Sequence, residues 1–397
     1  MTLYEELEYR GLIKDISSPK LADKLNNESL TFYIGTDPTA DSMHIGHFSS
    51  FLIAKRLKDA GHNPILLIGG ATALIGDPRP SSEREMASKE TINKNFLKMK
   101  AQAEKLFGLE VVNNNDWSKD INFIDYLRDY GKYFNVNYML SKDIVNRRLE
   151  TGITYTEFSY MIMQSLDFLH LFETRNCVMQ LAGQDQWGNI TAGLELIRKK
   201  TGKEAYGFTM PLLTDANDNK IGKSEGNAIW LDASKTSPYE LYQYLFNTDD
   251  NSVIKYLKYL TFLSCEEIEA LELSVVNEPE KRLATKTLAY EVVKFVHGEE
   301  AADKALKTSV ETFTSGSSAN MPTVEVSLED DINVLDLMLL TKIIPTKSEG
   351  RRLIEQGGVK INQNVINDIN TIVSVDNLNE SIIIQKGKKT FLKVMNI

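Results

Sequence analysis

The chain is poor in cysteine and histidine and lacks any long apolar run. Its two cysteines, Cys177 and Cys265, are far apart in the sequence and predict no disulfide framework. Its five histidines show no zinc-ligand spacing, so no metal centre is expected. No stretch reaches the roughly 20 apolar residues that span a membrane, and the acidic N-terminus lacks an export signal. These absences favour a large cytoplasmic protein over secreted and membrane classes.

Positive charge is scarce as well. The 397 residues contain 45 Lys and Arg against 55 Asp and Glu, a net charge of −10 that argues against nonspecific polyanion binding. Residues 331–397 differ, with nine basic against seven acidic residues, a balance of +2 that leaves −12 for the rest. This basic end predicts either phosphate contacts or a solvated tail.

Neither common nucleotide-binding fingerprint is present. The glycine-rich stretch at 69–76 lacks the Lys-Ser/Thr of a P-loop, and no G-x-G-x-x-G follows the hydrophobic strand expected at 31–36. That strand is followed instead by Pro38-Thr-Ala-Asp-Ser-Met-His44-Ile-Gly46-His47. At a helix start, both histidines share one face beside unpaired N–H groups, and Gly46 admits a ligand to the backbone. The pattern predicts a phosphate site, with solvated histidines or half of a metal site as alternatives.

A second motif lies far downstream, Lys220-Ile-Gly-Lys223-Ser224, in a stretch rich in Asp, Asn and Gly. Two ammonium groups on such a loop suit a triphosphate, although a solvated surface loop has the same composition. In this order, the two motifs resemble the signatures of class I aminoacyl-tRNA synthetases. The stretch from Tyr33 to His47 closely resembles the bacterial tyrosyl-tRNA synthetase version, and the resemblance continues through 156–167, 185–190, 235–239 and the C-terminal module. It implies activation of tyrosine by ATP, followed by transfer to tRNA(Tyr).

The coarse pattern of the chain predicts an α/β fold with a Rossmann-like parallel sheet. Strands are expected at 31–36, 64–68 and 177–181, with a helix at 43–60 closed by Gly61. Ligands are then expected at the carboxyl ends of the strands. We predict a catalytic domain at 1–235, a helical anticodon-side domain at 236–313 and a linker at 314–330. Residues 331–397 resemble the small α+β RNA-binding domain of the ribosomal-protein-four type that this family carries.

The amino-acid pocket is suggested by spacing. Tyr160, Gln164 and Asp167 are four and then three residues apart, so they share one face of an apolar helix. A solvent-facing side or a structural polar network would show the same pattern. The resemblance implies that Tyr33 and Asp167 bind the phenolic hydroxyl of tyrosine. It places Asp77, Tyr160 and Gln164 around the ammonium group, with Gln180 nearby.

The resemblance also assigns residues to ATP and tRNA. It implies that Thr39, His44 and His47 meet the phosphates and ribose, and that Lys220, Lys223 and Ser224 close over the triphosphate. The ATP-binding set it implies is Asp37, Gly46, Gly183, Asp185, Gln186 and Lys223. The tRNA-binding set is Arg351, Arg352, Lys386, Lys388 and Lys389. Mg²⁺ should arrive with ATP, without a dedicated protein cage.

Three positions depart from the family pattern. Ala182 stands where glycine is common, Gln184 replaces the usual serine, and the loop at 77–84 lacks an expected lysine that Arg79 or Arg84 could replace.

The aromatic-rich segment at 125–139 resembles the family's dimer contact, so a homodimer is expected, with a buried helix as the alternative.

Two other functions stay open. A tryptophanyl-tRNA synthetase is disfavoured because Tyr33 and Asp167 suit a hydroxyl. A noncatalytic RNA-binding protein would have no need of both motifs.

Overall fold

The structure is a computed structural model that describes residues 1–78, 87–214, 221, 228–315, 323–328, 330–387 and 390–396. The chain forms two compact units. The first consists of Met1–Asp232 and Lys255–Leu263, and the second of Ala233–Ile254 and Ser264–Ile397.

The first unit is built on a six-stranded sheet in the order β1-β6-β5-β2-β3-β4. Its strands are β1 Asp15–Ile16, β2 Thr31–Thr36, β3 Asn63–Ile68, β4 Glu110–Asn113, β5 Cys177–Gly183 and β6 Tyr206–Met210. Every neighbouring pair is parallel except β1 with β6. β3 and β6 are buried almost throughout, as expected for strands covered on both faces. The predicted parallel sheet is confirmed.

Helices connect and cover these strands. They are α1 Leu3–Tyr9, α2 Lys20–Asn27, α3 Ile45–Asp59, α4 Lys89–Phe107, α5 Asn115–Ser118, α6 Phe123–Asp125, α7 Val136–Leu140, α8 Asp143–Arg148, α9 Tyr155–Arg175 and α10 Trp187–Thr201. The predicted helix at 43–60 is α3, which begins later because His44 is its N-cap residue. Gly61 follows its end with φ of +97°, a conformation that favours glycine.

Strand order brings two distant segments together. β2 and β5 are adjacent parallel strands, with Tyr33 opposite Gln180. Since carboxyl ends of parallel strands meet at one edge, the histidine motif after β2 and residues 184–186 after β5 lie at the same edge of the sheet.

The second unit contains the predicted helix-rich stretch and the C-terminal module. Its helices are α11 Pro238–Phe246, α12 Asp250–Leu260 (whose last residues belong to the first unit), α13 Cys265–Asn277, α14 Leu283–His297, α15 Glu299–Ser315, α16 Val334–Leu340, α17 Lys347–Glu355 and α18 Val375–Glu380. Its strands are β7 Thr323–Val326, β8 Ile332–Asn333, β9 Val359–Ile361, β10 Asn364–Val365, β11 Ile372–Val373, β12 Ile382–Lys386 and β13 Thr390–Asn396.

Part of the segment predicted as a linker at 314–330 forms a strand. β7 falls inside that range and pairs in parallel with β13, so it belongs to the C-terminal five-stranded sheet. Alternating Val324 and Val326 pack toward the core of this module, a pattern that the neighbouring small and polar residues obscured. Residues 255–263 also group with the first unit rather than with the helical stretch. Across the described residues, no helix is long and apolar enough to cross a membrane.

Candidate active site

Two cavities of about 250 and 300 Å³ adjoin at the carboxyl edge of the first unit's sheet. They share walls formed by Gly35, Thr36, His47, Ala182, Asp185 and Gln186. A ligand with two unlike ends can therefore occupy both.

The first cavity is lined by all six residues predicted to bind tyrosine: Tyr33, Asp77, Tyr160, Gln164, Asp167 and Gln180. α9 contributes three of them, and its start is fixed by Thr154, whose hydroxyl accepts from the amide of Glu157. Tyr160, Gln164 and Asp167 do share one face of α9, and this face lines the cavity.

Asp167 lines this cavity and is 2% exposed. Its Oδ2 accepts from Asn114 Nδ2 at 3.0 Å, and its Oδ1 accepts from Trp117 Nε1 at 2.9 Å. Burial raises the pKa of Asp167 to about 7, although both donors oppose the rise. The sequence analysis missed these donors. The available signal was the polar run at 113–116 at the end of a strand.

Among the residues that line the first cavity, two buried polar side-chain atoms have no hydrogen-bond partner in the described part of the chain: the hydroxyl of Tyr33 and Oε1 of Gln180. Both residues line the first cavity from adjacent strands. Burial raises the pKa of Tyr33 well above its usual range, and the charge of Asp167 acts in the same direction. An unpaired buried polar group costs about 1–3 kcal/mol. The pair therefore indicates a polar ligand that supplies the missing bonds.

Asp37 is hydrogen-bonded to a residue of the predicted tyrosine set, which the sequence did not suggest. It was assigned to ATP, yet its Oδ2 accepts from the Tyr160 hydroxyl at 3.1 Å and its Oδ1 from Thr72 at 2.7 Å. A Cβ on Gly69 would lie 2.4 Å from Asp37 Oδ1, so this approach requires glycine. Asp77 accepts from Gln186 Nε2 at 3.0 Å. Among the described residues, Asp37 and Asp77 are thus two of the four aspartates that line the first cavity, where a cation would be attracted.

The histidine motif forms the start of α3. His44 Nδ1 accepts from the amide of Gly46 at 3.0 Å, and His47 Nδ1 accepts from the amide of His44 at 3.2 Å. Because each Nδ1 accepts, each neutral ring carries its proton on Nε2. The rings lie 4.0 Å apart between centroids. Both line the second cavity, so the predicted placement at a helix start is confirmed. The histidine capping box was not foreseen.

Glycines keep the second cavity open. A Cβ on Gly46 would lie 2.8 Å from His44 Cε1 and 3.2 Å from the carbonyl oxygen of Ile221. A Cβ on Gly183 would lie 2.7 Å from Asp185 Oδ1. Asp185 and Gln186 line both cavities, whereas Thr39 and Asp37 line only the first.

Several predicted residues lie outside the described part of the chain: Lys220, Lys223, Ser224, Arg79, Arg84, Lys388 and Lys389. Of the predicted tRNA contacts, Arg351 and Arg352 are exposed on α17, and Lys386 lies on β12. Lys386 Nζ is 3.6 Å from Glu349 Oε1, so β12 and α17 approach each other at this point. In the described residues, no cluster of three or more His, Cys, Asp or Glu could hold a metal ion.

Two family models match the chain. Residues 25–314 match "tRNA synthetases class I (W and Y)", and residues 313–394 match "Tyrosine–tRNA ligase SYY-like C-terminal domain". The tyrosine–tRNA ligase of Acetivibrio thermocellus is 48% identical over 405 residues, covering 99% of each chain. That of Geobacillus stearothermophilus is 46% identical over 414 residues, covering 98% of this chain and 99% of the relative. A C-terminally truncated mitochondrial tyrosyl-tRNA synthetase of Aspergillus nidulans superposes with a TM-score of 0.71 at 33% identity, covering 79% of this chain and 94% of that structure.

Proposed function

Since the chain belongs to the tyrosine–tRNA ligase family of class I tRNA synthetases, we propose that its two adjoining cavities hold L-tyrosine and ATP during the first half-reaction. The products of that step are tyrosyl-adenylate and pyrophosphate, and the tyrosyl group then passes to the 3′ end of tRNA(Tyr). The observation that carries this assignment is that the first cavity is lined both by the buried carboxylate of Asp167 and by Tyr33, whose buried hydroxyl is unpaired in the described residues.

In this proposal, the phenolic hydroxyl of tyrosine donates to Asp167 and pairs with the hydroxyl of Tyr33. The Tyr33 hydroxyl lacks a partner in the described residues, so a bound phenol satisfies it. Phenylalanine would fill the same space but leave the Tyr33 hydroxyl unpaired and give Asp167 no third donor, and an unpaired buried polar group costs about 1–3 kcal/mol. Selection against phenylalanine therefore follows from desolvation.

The ammonium group of tyrosine binds among Asp77, Tyr160 and Gln164, with Oε1 of Gln180 as a further acceptor. Support comes from two carboxylates near this position, Asp77 and Asp37, which Gln186 and Tyr160 hold by hydrogen bonds. The same bonds explain how the amino-acid site and the ATP site keep a fixed geometry. Tyr160 contacts Asp37, and Gln186 contacts Asp77, across the two predicted sets.

The nucleophile is the carboxylate of tyrosine, which attacks the α-phosphorus of ATP. Because it is already an anion, the protein contributes positioning and electrostatic stabilisation rather than a general base. The Nε2–H groups of His44 and His47 supply donors at a helix N-terminus, with Thr39 beside them. Lys220, Lys223 and Ser224 are assigned to the leaving pyrophosphate. Mg²⁺ enters as part of the ATP substrate.

The adenosine portion is assigned to the second cavity, beside Gly46, Gly183, Asp185 and Gln186, with Asp37 and Lys223 completing the ATP set. Glycines at the first two positions let the nucleotide approach the backbone.

Binding of tRNA is assigned to the C-terminal module through Arg351, Arg352, Lys386, Lys388 and Lys389.

A cytoplasmic homodimer completes the proposal. Its support is the group of exposed apolar side chains between 123 and 155 in the first unit, which are Phe123, Ile124, Leu127, Val136, Tyr138, Leu149 and Tyr155.

The test is ATP–pyrophosphate exchange with each of the twenty amino acids, followed by charging of tRNA(Tyr). We expect exchange only with tyrosine at micromolar to millimolar concentration and charging of tRNA(Tyr) alone. Exchange driven by tryptophan would contradict the substrate, and the absence of any exchange would contradict the reaction.

A further inference from the structure

We propose that His170 is a positioning residue for tyrosine selection: its ring packs on Trp117 and so fixes the indole N–H that donates to Asp167. The inference rests on the proposed function, because it concerns how the phenol acceptor is held. It adds a residue outside the cavity to those that decide which amino acid is used.

α9 carries both ends of this arrangement. Asp167 and His170 are three residues apart, with Asp167 in the tyrosine cavity and His170 lining an outer groove of about 530 Å³. Trp117 lines that groove too, and its Nε1 reaches Asp167 Oδ1 at 2.9 Å. The indole therefore connects the groove, which it lines, with Asp167 of the cavity, to which it donates.

The Trp117 and His170 rings are stacked, with centroids 4.4 Å apart and planes inclined by 13°. Burial lowers the pKa of His170, so its ring is neutral at neutral pH and stacks as an uncharged aromatic. The charged groups that act on it are Glu173 and Arg175 on its own helix, and Arg175 is paired with Glu110 of β4. The His170 ring thus packs on one face of the indole, where both residues line the outer groove.

The two donors to Asp167 are held differently. The side chain of Asn114 makes three hydrogen bonds, accepting from Ala71 N and donating to Thr72 and Asp167. Trp117 has only its indole N–H as a polar group, and it lies on α5, a four-residue helix with no buried residue. Its orientation therefore depends on ring packing, against the apolar core and against His170.

Loss of the stack should act on Asp167 through the indole. A less ordered N–H stabilises the carboxylate less, and burial together with the charge of Asp37 already favours its protonated form. A protonated Asp167 presents a donor where the phenol needs an acceptor. The consequence is weaker selection of tyrosine over phenylalanine, with little change in the activation rate at saturating tyrosine.

The experiment measures kcat and KM for tyrosine and for phenylalanine in ATP–pyrophosphate exchange, from pH 6 to pH 9, on the full chain. For His170→Ala and His170→Gln, we expect the tyrosine-to-phenylalanine ratio of kcat/KM to fall about two- to tenfold, as expected for one aromatic stack. The change should appear in KM, with the acid limb of the tyrosine profile moved to higher pH. His170→Phe, which keeps an aromatic ring, should restore the ratio. Glu173→Gln, an exposed change on the same helix, should leave it unchanged.

A double-mutant cycle separates positioning from a general effect on folding. Trp117→Phe removes the indole donor, so His170→Ala in that background should cause no further loss of selectivity. The inference would be overturned by an unchanged tyrosine-to-phenylalanine ratio of kcat/KM in both His170→Ala and Trp117→Phe. It would also be overturned if His170→Ala lowered this ratio equally with and without the indole. In either case, tyrosine-dependent exchange by the wild type would still support the proposed function. Absence of tyrosine-dependent exchange in the wild type would overturn both.

Discussion

Replacing Asp167 by Asn tests the proposed amino-acid site with the smallest change of shape. The carboxylate accepts from Asn114 and Trp117, and in the proposal it accepts from the substrate phenol as well. The asparagine side chain keeps one oxygen as an acceptor, but its NH₂ group then faces one of these hydrogen-bond donors. A hydrogen bond to a charged group contributes about 1.5–3 kcal/mol. At 1.36 kcal/mol per factor of ten, kcat/KM for tyrosine should fall about 10- to 150-fold. The value for phenylalanine should hold or rise, because no charge is then buried against its ring.

The pH dependence gives an independent readout of the same variant. Burial raises the pKa of Asp167 to about 7, so kcat/KM for tyrosine should rise with pH through about 7 as the acceptor ionises. Asp167→Asn should remove this limb.

The raised pKa of Asp167 also predicts how the free energy of unfolding depends on pH. The folded state holds a proton on Asp167 more tightly than the unfolded chain does, whose carboxyl pKa is near 3.8. Its contribution to the free energy of unfolding therefore falls between about pH 4 and pH 7 and stays constant above. The thermal midpoint of Asp167→Asn at pH 8 should accordingly match or exceed that of the wild type. Wild-type tyrosine kinetics in this folded variant would refute the assignment, as would equal losses for tyrosine and phenylalanine.

Four further predictions concern the other parts of the proposal. His47→Ala should lower the activation rate by orders of magnitude in single-turnover measurements with tyrosine affinity nearly unchanged, because its Nε2–H is assigned to phosphate charge that grows in the transition state. Lys223→Ala should behave in the same way, and an equal loss of tyrosine binding in either variant would mark a structural role. A protein ending at residue 322, before β7, should retain exchange but lose salt-sensitive tRNA charging, whereas undiminished charging would exclude the C-terminal module as the tRNA contact. Tyr155→Asp should give monomers by sedimentation if this exposed side chain lies in the dimer contact, and a wild-type monomer at micromolar concentration would contradict the homodimer.

Local sequence predicted much of the fold of the first unit. The strand at 31–36 was located to the residue, because a run of apolar residues between turn-forming ones is a local signal. The helix at 43–60 was off at its start, since histidine is an unusual N-cap. β7 was assigned to a linker because its pairing partner β13 lies more than sixty residues away, and such pairing leaves no local trace.

Some features of the candidate site likewise follow from local sequence, whereas others depend on the tertiary structure. The common face of Tyr160, Gln164 and Asp167 follows from helical periodicity, which the sequence contains. That Tyr33 and Gln180 face each other depends on β2 lying beside β5, and only strand order decides this.

The sequence by itself determined the chemistry available to this protein: two histidines at a helix start, a Tyr, Gln and Asp face on an apolar helix, a lysine-containing loop and a basic C-terminal end. These follow from residue identity and short spacing. Only the tertiary structure decided which atoms hold those groups. Asn114 and Trp117 became the donors to Asp167 because the chain after β4 lies beside α9, and the Tyr33 hydroxyl stayed unpaired among the described residues because Tyr33 lines the cavity. The physical reason is that hydrogen bonding and desolvation act over a few ångströms in space, between residues that the chain keeps far apart.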